Sequence, residues 1–584
     1  VRIPHIRRVA IAVAVTTTVT LPTGPAFAAA PAGAQAVASS PVDTARAAAF
    51  AHASATGVGR GDTLRAKDVM TDPDGKQHVR FVRAHLGMPV LGGDLVVHLS
   101  RQSAYLGVTR AADHAVEPAT TEAKLTPQQA ERKAAEVAQG EAGDAQLVVD
   151  ARDGASALAY QVRVTDSDTS EAGGSRTVVV DAGSGRIRSD VPDSDEFISP
   201  SLDETLRERG EQLSPETGTS AQPGSLLSTA AATAYPVKAT GSGASLFAGK
   251  VTLTTTRTAR TSYLLRDPTR WNTETRDAKG QELQAFSRGK KLTDADNKWG
   301  NGATSSRVTA AVDAQYGITQ TLDFYKKTFG RKGIENNSAG ARAMVHFGNK
   351  VGNAFWDSTC GCMLYGDGDG DMLKKPLVVL DVTGHELTHG VVDATAALEP
   401  TRVDRDGNQY GEPGSLNESL ADIFGSAVEF SANNPKNPPN YLVGEKLGLA
   451  QKFLRRLDRP SLDKLEGAVD YWSPEAYDTE VHAGSGVSSH AYYLLAEGSG
   501  RKTIGGVAYN SPTYDGSRVT GIGRTKATAI FYRALTRYMV STTDFHDARE
   551  ATLKAAADLY GASSTEYKTV AKAWTAVNVT ATNG

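Results

Sequence analysis

The stretch from Asp381 to Gly390, "DVTGHELTHG", constrains this chain more than any other part of it. His385 and His389 are four positions apart, so on a helix both imidazoles project from one face, one turn apart. Two such nitrogens suit a zinc ion at about 2.0 to 2.1 Å. Glu386 points roughly 100° round the helix from His385, which sets its carboxylate beside a metal rather than on it. A His-Glu-x-x-His match arises by chance in roughly one or two of a hundred chains this long, so a third ligand is the test. Downstream, "GSLNESLADIFGSAVEF" places Glu418 and Asp422 four apart on one face of a second helical pattern. Glu418 can complete a set of two histidines and one glutamate with an open fourth position, the catalytic rather than the structural arrangement for zinc. Asp422 can hold the other ring nitrogen of a ligand histidine. Leu416, Leu420, Ile423 and Phe424 flank these acids and predict a buried helix.

Composition narrows the rest. At 584 residues the chain exceeds one core, and about 100 to 200 residues per domain predicts roughly three to five units. A net charge of -3 offers no basic excess for nucleic acid. Residues 1–28 read as a secretory signal: Arg2, Arg7 and Arg8 precede an apolar run from Val9 to Leu21, then Pro22 and the triplet Ala26, Phe27, Ala28. No later stretch has the length and apolarity of a membrane span, which predicts a secreted product. The two cysteines, Cys360 and Cys362, then read as a disulfide, with a second metal site the weaker alternative.

Along the chain, residues 29–120 and 121–190 read as two small α+β units. The first has an Ala-rich helix over 42–55 and a hairpin or meander through "HVRFVRAHLGMPVLGGDLVVHLS". The second opens with Thr126 as a helix cap and Pro127 in the first turn, followed by two strands and a Gly-rich turn. Residues 191–233 are polar, with scattered Pro and Ser, and read as an exposed processing linker. A strand-rich region over 234–397 and a helix-rich region over 398–584 predict a two-lobed α+β unit with a cleft.

Several motifs in order give this chain a resemblance to the thermolysin-like secreted neutral metallopeptidases. They are "GNAFWDSTCGCMLYGDGDGD", the two helices above, "VGEKLG", "FLRRLDRPSLD", "VHAGSGVSSHAYYLL" and "YKTVAKAWTAVNV", with "HVRFVRAHLGMPVLGGDLVVHL" similar to that family's propeptide. The resemblance implies a β-rich amino-terminal lobe and a helical carboxy-terminal lobe behind an α+β propeptide acting as intramolecular chaperone and inhibitor. It implies a monomeric zinc endopeptidase that cleaves proteins and peptides before bulky apolar residues, with Glu386 as general base and no nucleic-acid or membrane partner. It assigns His482 as oxyanion donor with Asp478 as its partner, and Tyr410 as a second donor. Asn417 and Asp422 support the zinc ligands. Asn353, Ala354 and Arg455 bind substrate backbone, and Val382, Val443 and Leu454 line the pocket after the cleaved bond. Asp381, Glu429 and Glu445 match calcium ligands, and Asn440 and Leu442 at positions often acidic reduce the expectation to one ion. The loop "YGDGDGD" lacks the terminal Glu of an EF-hand and reads as a turn. Two other readings are a zinc-binding protein without chemistry, opposed by Glu386 and His482, and an aminopeptidase, for which no acidic group to hold a free amine is found. No nucleophile elbow supports a serine hydrolase.

Overall fold

The structure is a computed structural model that describes residues 40–152, 154–166, 174–211, 235–283 and 285–582. The signal reading lies outside these residues, as does the part of the linker from residue 212 to 233. Among the described residues no helix is long and apolar enough to cross a membrane.

Residues 41–192 build one ten-stranded sheet from the two units expected of the propeptide. The units join where Met88–Leu91 pairs in parallel with Gln146–Asp150. Helix Pro41–Ala51 packs Ala45 and Ala49 onto Val79, Phe81, Leu95 and Val97, the alternating residues of the meander. Helix Pro127–Ala138 starts with a full capping box: Thr126 accepts from the Gln129 amide, and the Gln129 side chain returns to the Thr126 amide.

The amino-terminal lobe of the catalytic part carries a five-stranded and a seven-stranded sheet, with helix Arg307–Phe329 packed against both. Strand Ala354–Asp357 runs near one edge of the larger sheet. The strand that closes that edge is Ser194–Glu196, from the preceding segment. After residue 380 the chain is mainly helical, ending in Phe545–Tyr560 and Thr565–Thr575. One core cluster joins the two lobes, and Phe197, Ile198, Leu202 and Leu206 belong to it.

This corrects the reading of residues 191–211 as exposed linker. The segment forms strand Ser194–Glu196 and helix Pro200–Glu211. Its few apolar side chains are individually buried in a neighbour's surface, a pattern with no periodicity to reveal it.

Candidate metal and peptide site

Two helices carry the site, and both are buried on nearly every side. In Leu380–Asp393, each residue from Leu380 to Val392 is buried; Glu412–Ala432 is buried from Pro413 to Glu429. Glycines let them touch backbone to backbone. A Cβ on Gly384 would stand 3.0 Å from Gly425 Cα, and one on Gly425 only 2.7 Å from the Asp381 carbonyl oxygen. That close crossing brings Glu418 to the two histidines.

His385 Nε2 and His389 Nε2 lie 3.0 Å apart. Glu418 oxygens approach them at 3.4 and 3.5 Å. Donors arranged tetrahedrally at zinc distances are about 3.3 Å from one another, and the two nitrogens and the Glu418 carboxylate, one oxygen toward each ring, lie at that spacing. The outer nitrogens are already engaged: His385 Nδ1 with Asp422 Oδ1 at 2.8 Å, His389 Nδ1 with Asn417 Oδ1 at 3.0 Å. Deprotonated at Nε2, as a metal ligand must be, each ring would turn a lone pair to the same point, and Glu418 Oε2 is buried there with no hydrogen-bond partner. A cation relieves all three, so the residues fit zinc. Among the described residues one other group of three has donor atoms within 4.8 Å of one another, Glu412, Asp544 and His546. Glu412 there already accepts from Trp472 Nε1 and the Phe545 amide.

Both Glu386 oxygens are buried without a hydrogen-bond partner, and burial pushes this carboxyl well above the usual range. Burial alone would lower His482, but the Glu480 and Glu418 carboxylates hold it well above the ordinary histidine value. Its Nε2 stands 3.6 Å from Glu418 Oε2.

The partner of His482 is a correction. Glu480 accepts from His482 Nδ1 at 2.8 Å and from the His482 amide, as the cap of the short helix Val481–Gly484. Asp478 is instead solvent-exposed and paired with Arg402 at 3.0 Å. The E-x-H spacing was the available signal: a cap two residues before a histidine can hold its backbone and ring together. Tyr410 is a second correction. Its hydroxyl donates to Asp404 Oδ2 at 2.8 Å and its ring lies under the Arg402 guanidinium, both in the hairpin that leads into it. The donor expected of it is committed to that hairpin.

Arg455 is buried and anchored at three places: Asp422 through Nε and Nη2, Glu466 Oε2 at 3.0 Å, and the Phe197 carbonyl through Nη1 at 2.8 Å. Glu466 had no signature in the sequence. Asn353 and Ala354 face the segment Glu196–Ile198, which runs through the cleft. Val382, Val443 and Leu454 share one buried cluster with Phe197. Phe197 meets His385 edge-on at 5.2 Å between ring centroids.

Asp381, Glu429 and Glu445 are gathered more loosely than the zinc set. Glu429 Oε2 and Glu445 Oε2 are buried without partners, while their other oxygens accept from Asn437 and Asn440. Asp381 accepts from the Gly444 amide at 2.6 Å. Asp369, in "YGDGDGD", accepts the amides of Asp371, Met372 and Leu373, a turn as expected. Cys360 and Cys362 form a disulfide.

Comparison with known proteins agrees with this geometry. Residues 240–393 match the thermolysin metallopeptidase catalytic domain, residues 408–579 the thermolysin metallopeptidase alpha-helical domain, and residues 62–112 the fungalysin/thermolysin propeptide motif. Fold, site and matches together define the class: a thermolysin-type catalytic fold preceded by a propeptide motif. The chain belongs to the thermolysin family of metallopeptidases.

The transglutaminase-activating metalloprotease of Streptomyces mobaraensis is 39% identical over 531 residues, covering 89% of this chain and 62% of that protein. This chain thus spans less than two thirds of that relative's length. The thermostable neutral protease of Geobacillus stearothermophilus is 32% identical over 539 residues, covering 89% of this chain and 86% of that one. Among solved structures, the protealysin precursor of Serratia proteamaculans is similar at 26% identity and a TM-score of 0.39, covering 52% of this chain and 86% of that one.

Proposed function

We propose that this chain is a secreted zinc endopeptidase made as a zymogen, acting as a monomer on proteins and peptides before bulky apolar residues. The observation that carries the reading is the convergence of His385 Nε2, His389 Nε2 and Glu418 beside Glu386 and His482 on buried helices.

His385, His389 and Glu418 would hold the ion, with Asp422 and Asn417 fixing the rings. Zinc, when bound, polarises a carbonyl and makes water a nucleophile near neutral pH. Glu386 takes the proton of the attacking water and delivers it to the leaving nitrogen. His482, oriented by Glu480, donates to the oxygen on which charge builds up. Arg455 fixes the carbonyl after the cleaved bond, and Asn353 and Ala354 hold the neighbouring backbone. The pocket beside Val382, Val443 and Leu454 takes the apolar side chain; in this chain Phe197 sits in that cluster. Asp381, Glu429 and Glu445 supply hard oxygens for one structural calcium, supported by the two orphaned carboxylate oxygens. The propeptide assists folding and blocks the cleft.

Chelation tests the reading. Removal of zinc from the processed enzyme is expected to abolish hydrolysis of casein and of peptides blocked at both ends, and one equivalent of zinc to restore it. Loss of activity only toward peptides with free amines would favour the aminopeptidase; binding of zinc with no hydrolysis would favour the binding protein.

A further inference from the structure

The segment Ser194–Ile198 lies in the cleft as an extended peptide whose register is pinned at every residue. Ser194, Asp195 and Glu196 pair antiparallel with Asp357, Trp356 and Phe355. The Phe197 amide donates to the Ala354 carbonyl at 3.0 Å, and the Ile198 amide to Asn353 Oδ1 at 3.2 Å. Arg455 Nη1 donates to the Phe197 carbonyl at 2.8 Å, and His482 Nε2 to the Glu196 carbonyl at 2.8 Å. The carbonyl that meets the oxyanion donor is therefore that of Glu196, and the residue after it is aromatic and wholly buried. A Cβ placed on Gly444 would stand 3.5 Å from Phe197 Cζ and 3.3 Å from Leu454 Cβ, so the ring tip reaches the wall formed by Val443, Gly444 and Leu454.

We propose that Glu196–Phe197 is the first bond this chain cuts, within its own cleft, and that the new amino terminus at Phe197 stays seated after the cut. The proposal rests on the endopeptidase reading above and adds to it a defined substrate. A blocking segment need only fill the cleft. This one also presents a peptide bond with the carbonyl on the donor, the following amide on Ala354 and the apolar side chain in the pocket.

The step is a hydrolysis. Water oxygen bonds to the Glu196 carbonyl carbon, Glu386 accepts a water proton and passes it to the Phe197 nitrogen, and the carbon–nitrogen bond breaks. The second water proton also ends on that nitrogen, so the products are a carboxylate at Glu196 and an ammonium at Phe197. Downstream contacts outlast the cut. Ile198, Leu202 and Leu206 lie against Met372, Leu373, Leu447 and Leu454. The Ser199 amide donates to Glu466 Oε1 at 2.9 Å and the Ser201 amide to Asn408 Oδ1 at 3.1 Å. The first product accordingly keeps the pocket after the bond occupied, and full activity requires a later cut downstream.

The test follows the whole zinc-loaded chain in time, by intact mass and amino-terminal sequencing, at two protein concentrations tenfold apart. The expected first new amino terminus is Phe197, formed at a rate independent of concentration and absent in Glu386→Gln. Phe197→Leu should be cut at the same bond, and Phe197→Asp should slow that cut by about tenfold or more. In the uncut Glu386→Gln chain, the Phe197 and Ile198 amides should exchange hydrogen at least about tenfold more slowly than in the Glu386→Gln, Phe197→Asp double variant. A first cut elsewhere, or a rate that rises with concentration, overturns the proposal and leaves the endopeptidase reading standing. A chain that stays whole, yet hydrolyses casein after its propeptide is removed with trypsin and the trypsin is inhibited, also overturns the proposal alone. If casein too survives, the endopeptidase reading fails with it.

Discussion

Glu480 does three things at once: it caps a helix turn, accepts the His482 ring hydrogen, and fixes which nitrogen faces the cleft. Its removal should therefore cost more than a surface charge. Glu480→Gln is expected to lower kcat/KM about 10- to 100-fold with zinc content unchanged, whereas Asp478→Asn should leave kcat/KM within about twofold, because Asp478 meets only Arg402 across exposed surface. Steady-state kinetics on a blocked peptide decide between them, and the reverse order would return the role to Asp478. At this scale the metal ligands were legible, since four-residue spacings on two helices define one face each. Glu480 and Glu466 were not. One acts through a cap two residues away, and the other reaches Arg455 across eleven residues of irregular loop.

The two site helices show how an element's packing sets a site. Their crossing depends on Gly384 and Gly425, which sit where a side chain would meet backbone. Gly425→Ala must push the helices apart, because the added methyl meets the Asp381 carbonyl and the His385 amide rather than a flexible side chain. The expected result is a loss of roughly 1–3 kcal/mol in stability, read by thermal unfolding, with a weaker hold on zinc read by competition with a chelator. Unchanged unfolding would mean the crossing is looser than drawn. Helical periodicity made Glu412–Ala432 legible as an element. Strand Ser194–Glu196 was not, because "SDE" has no strand preference of its own and is extended only through its pairing with Ala354–Asp357.

Across the whole molecule, the propeptide meets the helical lobe through buried polar contacts. Asp72 pairs with Arg533, Arg80 donates to the Met539 carbonyl at 2.8 Å, and Asp94 accepts from Ser541. Beside them runs a chain from Asp72 to His78 to His98 to Thr109. His78 and His98 share one hydrogen between Nδ1 atoms 2.7 Å apart, so a second proton on His98 goes to Nε2, which faces the Thr109 hydroxyl at 3.0 Å. Burial, then His78, lowers His98 to about 3; Lys554 and Arg80 add to this, Asp558 opposes it, and Tyr538 packs on the ring. The sign follows directly. Between about 3 and the ordinary 6.5 the unfolded chain binds a proton that the folded chain refuses, so stability present above 6.5 is lost progressively as pH falls. Thermal unfolding of the Glu386→Gln zymogen should thus decline below pH 6.5, and His98→Asn should flatten the decline between pH 6.5 and 5. An equal slope in both would remove His98 as its source. None of this docking was legible in the sequence, because it joins residues more than four hundred positions apart and leaves no local pattern.

The central claim is that the two helices hold zinc so that Glu386 can move a proton without being a ligand. Measuring zinc content and blocked-peptide hydrolysis in the processed wild type, and in Glu386→Gln freed of its propeptide by an added protease, tests it most directly. The account predicts equal zinc, near one per chain, with hydrolysis by the variant reduced at least about a thousandfold. A variant that keeps its zinc and still cleaves at a comparable rate would contradict it.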